Sequence, residues 1–367
     1  MGLDKVAAQV EIGVRDESPL TLALYADRWI ADRRKRGLSC AQDNEGRLAH
    51  VLPMLGGLRL DEVRPRHVRN LARALAAMVG PADDQLAPRT VHHIYGTLHT
   101  LFEDAVADEL VDANPCALKR GELPKKVDKD PTWRSGAIFT REEVELLISD
   151  QRIPLDRRVI NSILLIGGLR FGELAAIRWR NYDAGILPLG KLVVAHSYDF
   201  KRKKKKSVKS LVPRDVPVHP TLAAVLEAWR SGGWESMVGR APTADDLIVP
   251  PRPEWTDEPF RNVNRALRRF HEDLAHLGLR RRRQHDLRRT FITIARSDGA
   301  RKDFLEHITH GPRGDIMDLY TTVPWDVLCE EVAQLRISLP EVTSGGAPRQ
   351  EPRARRRSSP SSRWAVL

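Results

Sequence analysis

The sequence has little cysteine and no long apolar run, and both absences exclude classes of protein. Its three cysteines, Cys40, Cys116 and Cys329, are odd in number and far apart in 367 residues. They predict neither a disulfide framework nor a CxxC zinc site, and they are compatible with a reducing cytosol. No apolar run approaches the roughly 18–20 residues that span a bilayer, and the N-terminus lacks the features of a secretory signal. We therefore expect a cytoplasmic protein with no membrane partner.

Motifs for metal and nucleotide binding are also missing. No His, Cys or carboxylate cluster has the spacing of metal ligands, and neither a GxxxxGK[ST] nor a GxGxxG loop is present. We therefore expect chemistry that uses no cofactor, no metal site and no bound nucleotide.

Positive charge is abundant. The formal net charge is +11 and the isoelectric point is about 9.8, while hydrophobic residues make up 41% of the chain. This composition indicates a globular protein with a polyanionic partner, most simply nucleic acid. An anionic membrane surface would satisfy the charge alone.

Apolar periodicity divides the chain into two structured parts. Residues 18–118 predict a bundle of four or five helices, with helices at about 43–54 and 66–79 and the clearest one at about 89–109. A polar, proline-containing linker follows at 119–136, and residues 137–340 form the second part. Thr140 and Glu143 have the spacing of a capping box at the start of its first helix. Residues 1–17 lack periodicity, and the Pro-, Ser- and Arg-rich residues 341–367 predict a disordered basic tail.

The second part mixes helices with a small β-hairpin. Leu192–Val194 and a returning strand at about 211–218 enclose the run KRKKKKSVKS. We expect Lys209 where the hairpin re-enters its second strand, in a position to carry an ammonium into a DNA groove, although a lysine run is more often a solvated loop. Helices are expected at about 220–231, 258–277 and 325–338. The predicted fold is mainly α with a small β-sheet or hairpin.

Arg170 stands out because it lies in the most apolar stretch of the chain, residues 159–180. Glu173, three residues later, could orient its guanidinium, and Gly167-Gly168 permits the close approach of another backbone. An ordinary surface ion pair at i,i+3 is the alternative. The glycines favour an arginine that faces a phosphate.

The stretch 281–320 contains His285, Arg288, His310 and Tyr320. His285 and Arg288 lie three apart and would share a helix face. A tyrosine near imidazoles and guanidiniums suggests a nucleophile that attacks a phosphate. The alternative is a basic helix that faces DNA, with a half-buried structural tyrosine.

The order Arg170, Lys209, His285, Arg288, His310 and Tyr320 resembles that of the tyrosine recombinase (phage integrase) family. GLRFGEL resembles the family's first arginine box, HDLRRTF its second, and KSLVPRDVP the segment where a catalytic lysine precedes an R-x-V-P strand. The resemblance covers about 139–339 closely. More loosely it covers 18–118, which is similar to the family's helical (SAM-like) core-binding domain, so a mixed α/β catalytic domain is implied for 137–340.

The chain departs from the family pattern around its second histidine. Ile308-Thr309-His310 stands where Leu-Gly-His is usual, and the gap from His310 to Tyr320 is one residue longer than the commonest form. His307, one helical turn before His310, competes for the same role.

The resemblance implies a site-specific recombinase that cleaves and rejoins DNA through a 3′-phosphotyrosyl intermediate, integrating or excising a phage or mobile element. In this interpretation Tyr320 is the nucleophile, His285 accepts its proton and Lys209 protonates the leaving oxygen. His310 hydrogen-bonds a non-bridging oxygen or helps to position the tyrosine, and Arg170 and Arg288 stabilise the phosphoryl charge, with Glu173 in support. The implied partners are double-stranded attachment sites, three further copies in a tetramer, and a DNA-bending accessory protein or excisionase. A catalytically silent DNA-binding regulator and a type IB topoisomerase remain alternatives. Further DNA contacts are predicted for seven basic residues: Lys203, Lys204, Lys205, Lys206, Arg214, Arg282 and Arg283.

Overall fold

A computed structural model describes residues 20–79, 85–127, 132–207, 212–255, 258–311 and 322–339. The chain divides into two compact units, Met1–Pro131 and Thr132–Leu367. This boundary lies inside the predicted linker, but the second unit starts before residue 137. The predicted lead-in at 1–17 and tail at 341–367 lie outside the described residues.

The first unit is helical, and its longest helix has the expected apolar face. That helix buries Val91, Ile94, Leu98, Leu101 and Phe102 at a spacing of three to four residues, which confirms the helix predicted at about 89–109. The helix predicted at about 43–54 is wrong as a single element. It is two helices separated by a turn, because Pro53 is accommodated only in the first turn of a new helix. The helices are α1 (Leu22–Lys35), α2 (Ala41–Leu48), α3 (Leu52–Leu55), α4 (Pro65–Ala77) and α5 (Pro88–Ala107).

The second unit contains ten α-helices within the described residues. The capping box predicted for its second helix is confirmed, since the Glu143 amide donates to Thr140 Oγ1 at 3.2 Å and the Thr140 amide donates to Glu143 Oε2 at 2.8 Å. The last helix ends earlier than the predicted residue 338. The helices are α6 (Trp133–Gly136), α7 (Arg141–Ser149), α8 (Leu155–Ile166), α9 (Phe171–Ala176), α10 (Pro220–Ala228), α11 (Trp234–Val238), α12 (Val263–His276), α13 (Gln284–Ser297), α14 (Lys302–His310) and α15 (Trp325–Ala333).

Two small antiparallel sheets replace the single predicted hairpin. One has the strand order β1 (Tyr182–Asp183), β2 (Gly190–Val194) and β5 (Arg214–Val218), in which Leu192 pairs with Val216. The other pairs β3 (His196–Asp199) with β4 (Lys204–Ser207). The two predicted strands do pair, but the lysine run belongs to the extra hairpin, whose turn is at 200–203. Lys209 lies outside the described residues, so its predicted place at the hairpin end stays a prediction.

The extra hairpin is anchored by aromatic packing. Tyr198 on β3 is buried, with its ring centroid 4.1 Å from that of Phe260 and 5.0 Å from that of Phe200. Phe171, which follows Arg170, contacts Phe200 at 5.7 Å. All four side chains of β4 are exposed. The hairpin therefore attaches to α9 through β3 and presents the lysines of β4 to solvent.

The core of the second unit is centred on α8. Ile163, Leu164, Leu165 and Ile166 are at most 1% exposed, and α13 packs against this helix through Leu287 and Phe291. The helices that precede Arg170 and that carry His285 and Arg288 are therefore held in one apolar core. Across the described helices, none combines the length and apolar character needed to cross a bilayer.

Candidate active site

Arg170 is positioned by a tight turn between α8 and α9. Gly168 in this turn has φ +63°, a conformation that disfavours any residue with a Cβ. A Cβ at this position would lie 2.4 Å from Cδ1 of Phe291 on α13. The missing side chain thus lets the Phe291 ring of α13 pack on the turn, so the neighbour at Gly168 is a side chain and not the backbone that the sequence led us to expect.

Glu173 links two arginines at the start of α9. Its Oε1 accepts from Arg170 Nη1 at 2.9 Å and its Oε2 from the Arg170 amide at 2.8 Å. The carboxylate also accepts from Arg214 Nη1 at 3.1 Å and Nη2 at 2.6 Å. Its side chain is 3% exposed, so the alternative of a surface ion pair does not apply. Burial opposes ionisation, but the hydrogen bonds and charge of Arg214, with help from Arg170, lower the pKa of Glu173 below its usual value.

Arg288 is buried directly beside this cluster. Its Nη1 donates to the Gly168 carbonyl at 2.5 Å and its Nη2 to the Thr309 carbonyl at 2.6 Å. Burial and the charge of Arg170 lower the pKa of Arg288 to about 9, while the Glu173 carboxylate opposes the shift. The guanidinium therefore stays protonated at neutral pH. The mutual repulsion of two guanidiniums indicates a place where an anion would be stabilised.

His285 lies on the first turn of α13, one turn before Arg288, and is exposed. Desolvation of the imidazole and the charges of Arg288, Arg289 and Arg170 lower the pKa of His285. The charge of Asp286 opposes this shift. The imidazole is therefore neutral at pH 7 and able to accept a proton.

Two buried arginines hold the C-terminal end of α14. Arg214 Nε donates to the Ile308 carbonyl at 2.8 Å, and Arg288 Nη2 contacts the next carbonyl, that of Thr309. Cations that bind the last carbonyls of a helix also interact favourably with its dipole. His310, the last residue of α14, is exposed, and its Nδ1 lies 2.9 Å from Thr309 Oγ1. The structure therefore places the backbone directly before His310 against Arg288, while His307 lies one turn earlier and is partly buried.

The burial of two arginines corrects their expected role as DNA contacts. Arg214 is 5% exposed and its guanidinium is engaged by Glu173 and Ile308. Arg282 is 6% exposed; it donates to the Ile138 carbonyl at 3.0 Å and to Glu143 at 3.2 Å. Both side chains brace the unit internally. Alternation along β5 could have predicted this for Arg214, because residues two apart share a sheet face and Val216 and Val218 are core residues.

The other predicted basic contacts remain accessible. Arg283 has a side chain that is 64% exposed, and Lys203, Lys204, Lys205 and Lys206 lie in or beside β4 with exposed side chains. Lys206 also pairs with Asp199 at 3.1 Å. Tyr320 falls in 312–321 and Lys209 in 208–211, and both stretches lie outside the described residues.

Among the described residues, no group of three His, Cys, Asp or Glu side chains is placed to hold a metal ion. The site is instead a cationic centre of Arg170 and Arg288, with a neutral imidazole on one side and the end of α14 on the other. Such a centre can bind an anionic phosphodiester and stabilise added charge on it.

Comparison with known proteins finds integrases both by sequence and by fold. No protein-family model matches the chain. An integrase of Mycobacterium phage FRAT1 is 27% identical over 306 residues, which are 80% of this chain and 81% of the relative. The Tn1549 transposon integrase, solved with circular intermediate DNA, has a TM-score of 0.61 at 16% identity and covers 85% of this chain and 99% of its own. A lambda integrase tetramer bound to a Holliday junction has a TM-score of 0.57 at 15% identity, covering 81% and 79%.

The similarity in sequence, the shared fold and the contact of Arg288 with the segment that precedes Arg170 agree with one another. The chain is thus similar in sequence to a phage integrase and shares the fold of the Tn1549 and lambda integrases.

Proposed function

We propose that this protein is an integrase that cleaves and rejoins DNA at specific sites through a covalent bond between Tyr320 and a 3′-phosphate. The observation that carries the proposal is the proximity of Arg170, which Glu173 holds, to Arg288, which bonds the carbonyl of Gly168 two residues before Arg170, with the neutral His285 one turn earlier on α13. Two fixed cations with an adjacent base suit phosphoryl transfer better than simple binding of the DNA backbone, which needs neither burial nor a base.

Each described residue has a defined role in the proposed reaction. Arg170 and Arg288 bind the non-bridging oxygens of the phosphodiester, and their fixed positions avoid reorganisation as charge develops. His285 accepts the phenolic proton as Tyr320 attacks phosphorus, and His310 donates a hydrogen bond to a non-bridging oxygen. Glu173 touches neither reactant and is a positioning residue, because it holds Arg170 and Arg214.

Lys209 completes the reaction as the proton donor. The Tyr320 oxygen forms a bond to phosphorus, the 5′-oxygen leaves, and the ammonium of Lys209 protonates it. The phosphotyrosyl ester retains the energy of the broken bond, so a second 5′-hydroxyl can displace the tyrosine. On this scheme neither ATP nor a metal ion is required.

We also propose that the active assembly is a tetramer on two DNA sites. The lambda integrase structure, which has the same fold, is a tetramer on a Holliday junction. In the proposed assembly the chain acts in the cytoplasm on nucleoid DNA, and a DNA-bending protein or an excisionase sets the direction of recombination.

Trapping the covalent intermediate tests the proposal. The protein is mixed with nicked duplexes from the DNA that flanks its gene, in EDTA and without ATP, and SDS-resistant complexes are resolved by electrophoresis. A band is expected for the parent and for the control Tyr182→Phe, and none for Tyr320→Phe.

The other outcomes separate the alternatives. A band retained by Tyr320→Phe would mean that the nucleophile is another residue. Tight binding without any band would favour a catalytically silent regulator. A band accompanied by relaxation of supercoiled plasmids of any sequence would favour a topoisomerase.

A further inference from the structure

Trp133 on α6 contacts two arginines of the segment that carries His285. The centroid of its ring lies 4.7 Å from Cζ of Arg283 and 4.3 Å from Cζ of Arg289. A guanidinium at this distance is attracted by the face of an indole. The ring therefore contacts two cations, Arg283 directly before α13 and Arg289 in the second turn of that helix.

The same two arginines are held by one buried carboxylate. Asp286 Oδ1 lies 3.3 Å from Arg283 Nη2 and 3.7 Å from Arg289 Nε, and the Asp286 side chain is 4% exposed. Two guanidiniums thus face a single negative charge. The cluster of Trp133, Arg283, Asp286 and Arg289, here called the tryptophan clamp, keeps one surplus positive charge.

Both guanidiniums remain accessible to a ligand. The side chains of Arg283 and Arg289 are 64% and 36% exposed. Arg280 is also exposed, and its Nη1 would lie 2.9 Å from a Cβ placed on Gly136, so a third guanidinium borders α6. Three arginines around one short helix form a surface suited to a polyanion.

The clamp adjoins the proposed reaction centre. Arg289 follows His285 by four residues on α13, so the two side chains share a helix face. The charge of Arg289 also contributes to the lowered pKa of His285. A strand whose phosphate reached Arg170 and Arg288 would place another of its phosphates near this face.

We propose that the tryptophan clamp binds a backbone phosphate beside the cleaved one, with Arg283 and Arg289 as the contacts and Trp133 as a positioning residue. The inference rests on the proposed function, because its ligand is the DNA strand in the site. Free arginine side chains lose much rotamer freedom when they bind, and Trp133 and Asp286 remove part of that freedom beforehand. A phosphate would also neutralise the surplus charge of the cluster.

Salt dependence of DNA binding tests the two contacts. The probe is a fluorescein-labelled duplex from the DNA that flanks the gene, titrated at several NaCl concentrations. Each lost phosphate contact should reduce the slope of log K against log[salt] by about 0.9. We expect such a reduction for Arg289→Gln, a further one when Arg283→Gln is added, and none for Arg240→Gln. Arg240 is a matched control because it also stacks on an indole, that of Trp234, and pairs with Asp246 at 2.6 Å.

A double-mutant cycle tests the positioning role of Trp133. Trp133→Ala should weaken binding, and Trp133→Phe should restore most of the loss because it keeps an aromatic face. In the background Arg283→Gln/Arg289→Gln, Trp133→Ala should have no further effect. An equal loss of affinity in that background would show that Trp133 does not act through the arginines.

The arginine variants decide the matter if Trp133→Ala fails to fold, since both side chains are at the surface. Unchanged slopes in Arg283→Gln/Arg289→Gln would overturn the inference and leave the covalent reaction of Tyr320 untouched. Conversely, reduced slopes in a protein that forms no covalent complex would support the clamp and count against the proposed chemistry.

Discussion

Arg288 donates a hydrogen bond of 2.6 Å to the carbonyl of Thr309, the residue directly before His310. The same guanidinium bonds the carbonyl of Gly168, two residues before Arg170. One buried side chain therefore fastens the first arginine box and the second histidine to α13. Damage to this junction should affect stability and catalysis together, whereas loss of a surface contact should affect only DNA binding.

Glu173→Gln is predicted to reduce both stability and cleavage. The change removes the only charge that this residue offers to Arg170 and Arg214, and Arg214 is left buried without its carboxylate. Breaking a buried ion pair on one side costs about 3–5 kcal/mol. Misplacing Arg170 should slow covalent complex formation by about 10²-fold, as expected for the loss of an oxyanion donor.

The measurements for Glu173→Gln are urea unfolding and single-turnover cleavage. Glu142→Gln is the matched control, because Glu142 is an exposed acid in the first turn of α7 and the change should cost far less stability than Glu173→Gln, without affecting cleavage. Full cleavage by Glu173→Gln would contradict the positioning role of this residue.

Gly168→Ala and Gly96→Ala are predicted to have opposite effects. At Gly168 a methyl group meets the ring of Phe291 at 2.4 Å, and φ is +63°. Overpacking and the left-handed backbone together cost about 2–5 kcal/mol. At Gly96, in the middle of α5, a Cβ meets no atom within 4 Å, so alanine should stabilise the first unit by about 0.5–1 kcal/mol.

Native-state hydrogen exchange measures these two changes separately, because it reports the opening of α5 and of α13 in the same experiment. Slower exchange in α5 of Gly96→Ala and faster exchange in α13 of Gly168→Ala are expected. Unchanged exchange in α13 would show that Phe291 relaxes to accept the methyl group.

The grouping of Arg170, Glu173 and Arg288 was easier to predict from the sequence than the placement of the other basic residues. Arg170 and Glu173 were identifiable because a charged residue in an apolar stretch needs a partner or a ligand, and Arg288 because it lies three residues after His285 in HDLRRTF. Alternation along β5 indicates that Arg214 faces the core, but its partners are a carboxylate 41 residues earlier and a carbonyl 94 residues later, and neither contact has a local signature. Charge alone therefore grouped Arg214 and Arg282 with the exposed lysines.

The β-hairpin was misplaced for a related reason. All side chains of β4 are exposed, so the lysine run has no alternation that would identify a strand. Its partner β3 is held by the packing of Tyr198 on Phe260 and Phe200. The composition of the lysine run does not indicate this aromatic packing. In the first unit, by contrast, apolar periodicity was enough to predict α5, because one face of that helix is wholly buried.

Asp156→Asn is predicted to destabilise the second unit strongly. Asp156 lies on α8 and is 4% exposed; its oxygens accept from Arg252 at 2.8 and 3.1 Å and from the buried Arg261. Removing the charge leaves the buried Arg261 without its carboxylate and Arg252 with only the longer pair to Glu254 at 3.8 Å, at a cost of about 3–5 kcal/mol. Asp245→Asn is the control, since Asp245 is 74% exposed and its loss should change stability by less than about 0.5 kcal/mol. Urea unfolding of the two variants compares them, and equal midpoints would contradict the predicted importance of the network.

The pH dependence of cleavage is predicted from the lowered pKa of His285. A base acts when it is deprotonated, so a pKa below the ordinary value of 6.5 extends activity towards acid. Covalent complex formation, measured under single-turnover conditions with protein below saturation, should therefore lose activity towards acid with a midpoint below 6.5, the ordinary value for an imidazole. Arg289→Gln removes one of the charges that lower this pKa, so its acid limb should move to higher pH. Arg240→Gln, whose arginine does not contribute to the shift, should keep the parent profile. An acid limb that stays in place in Arg289→Gln would indicate that a group other than His285 controls the reaction.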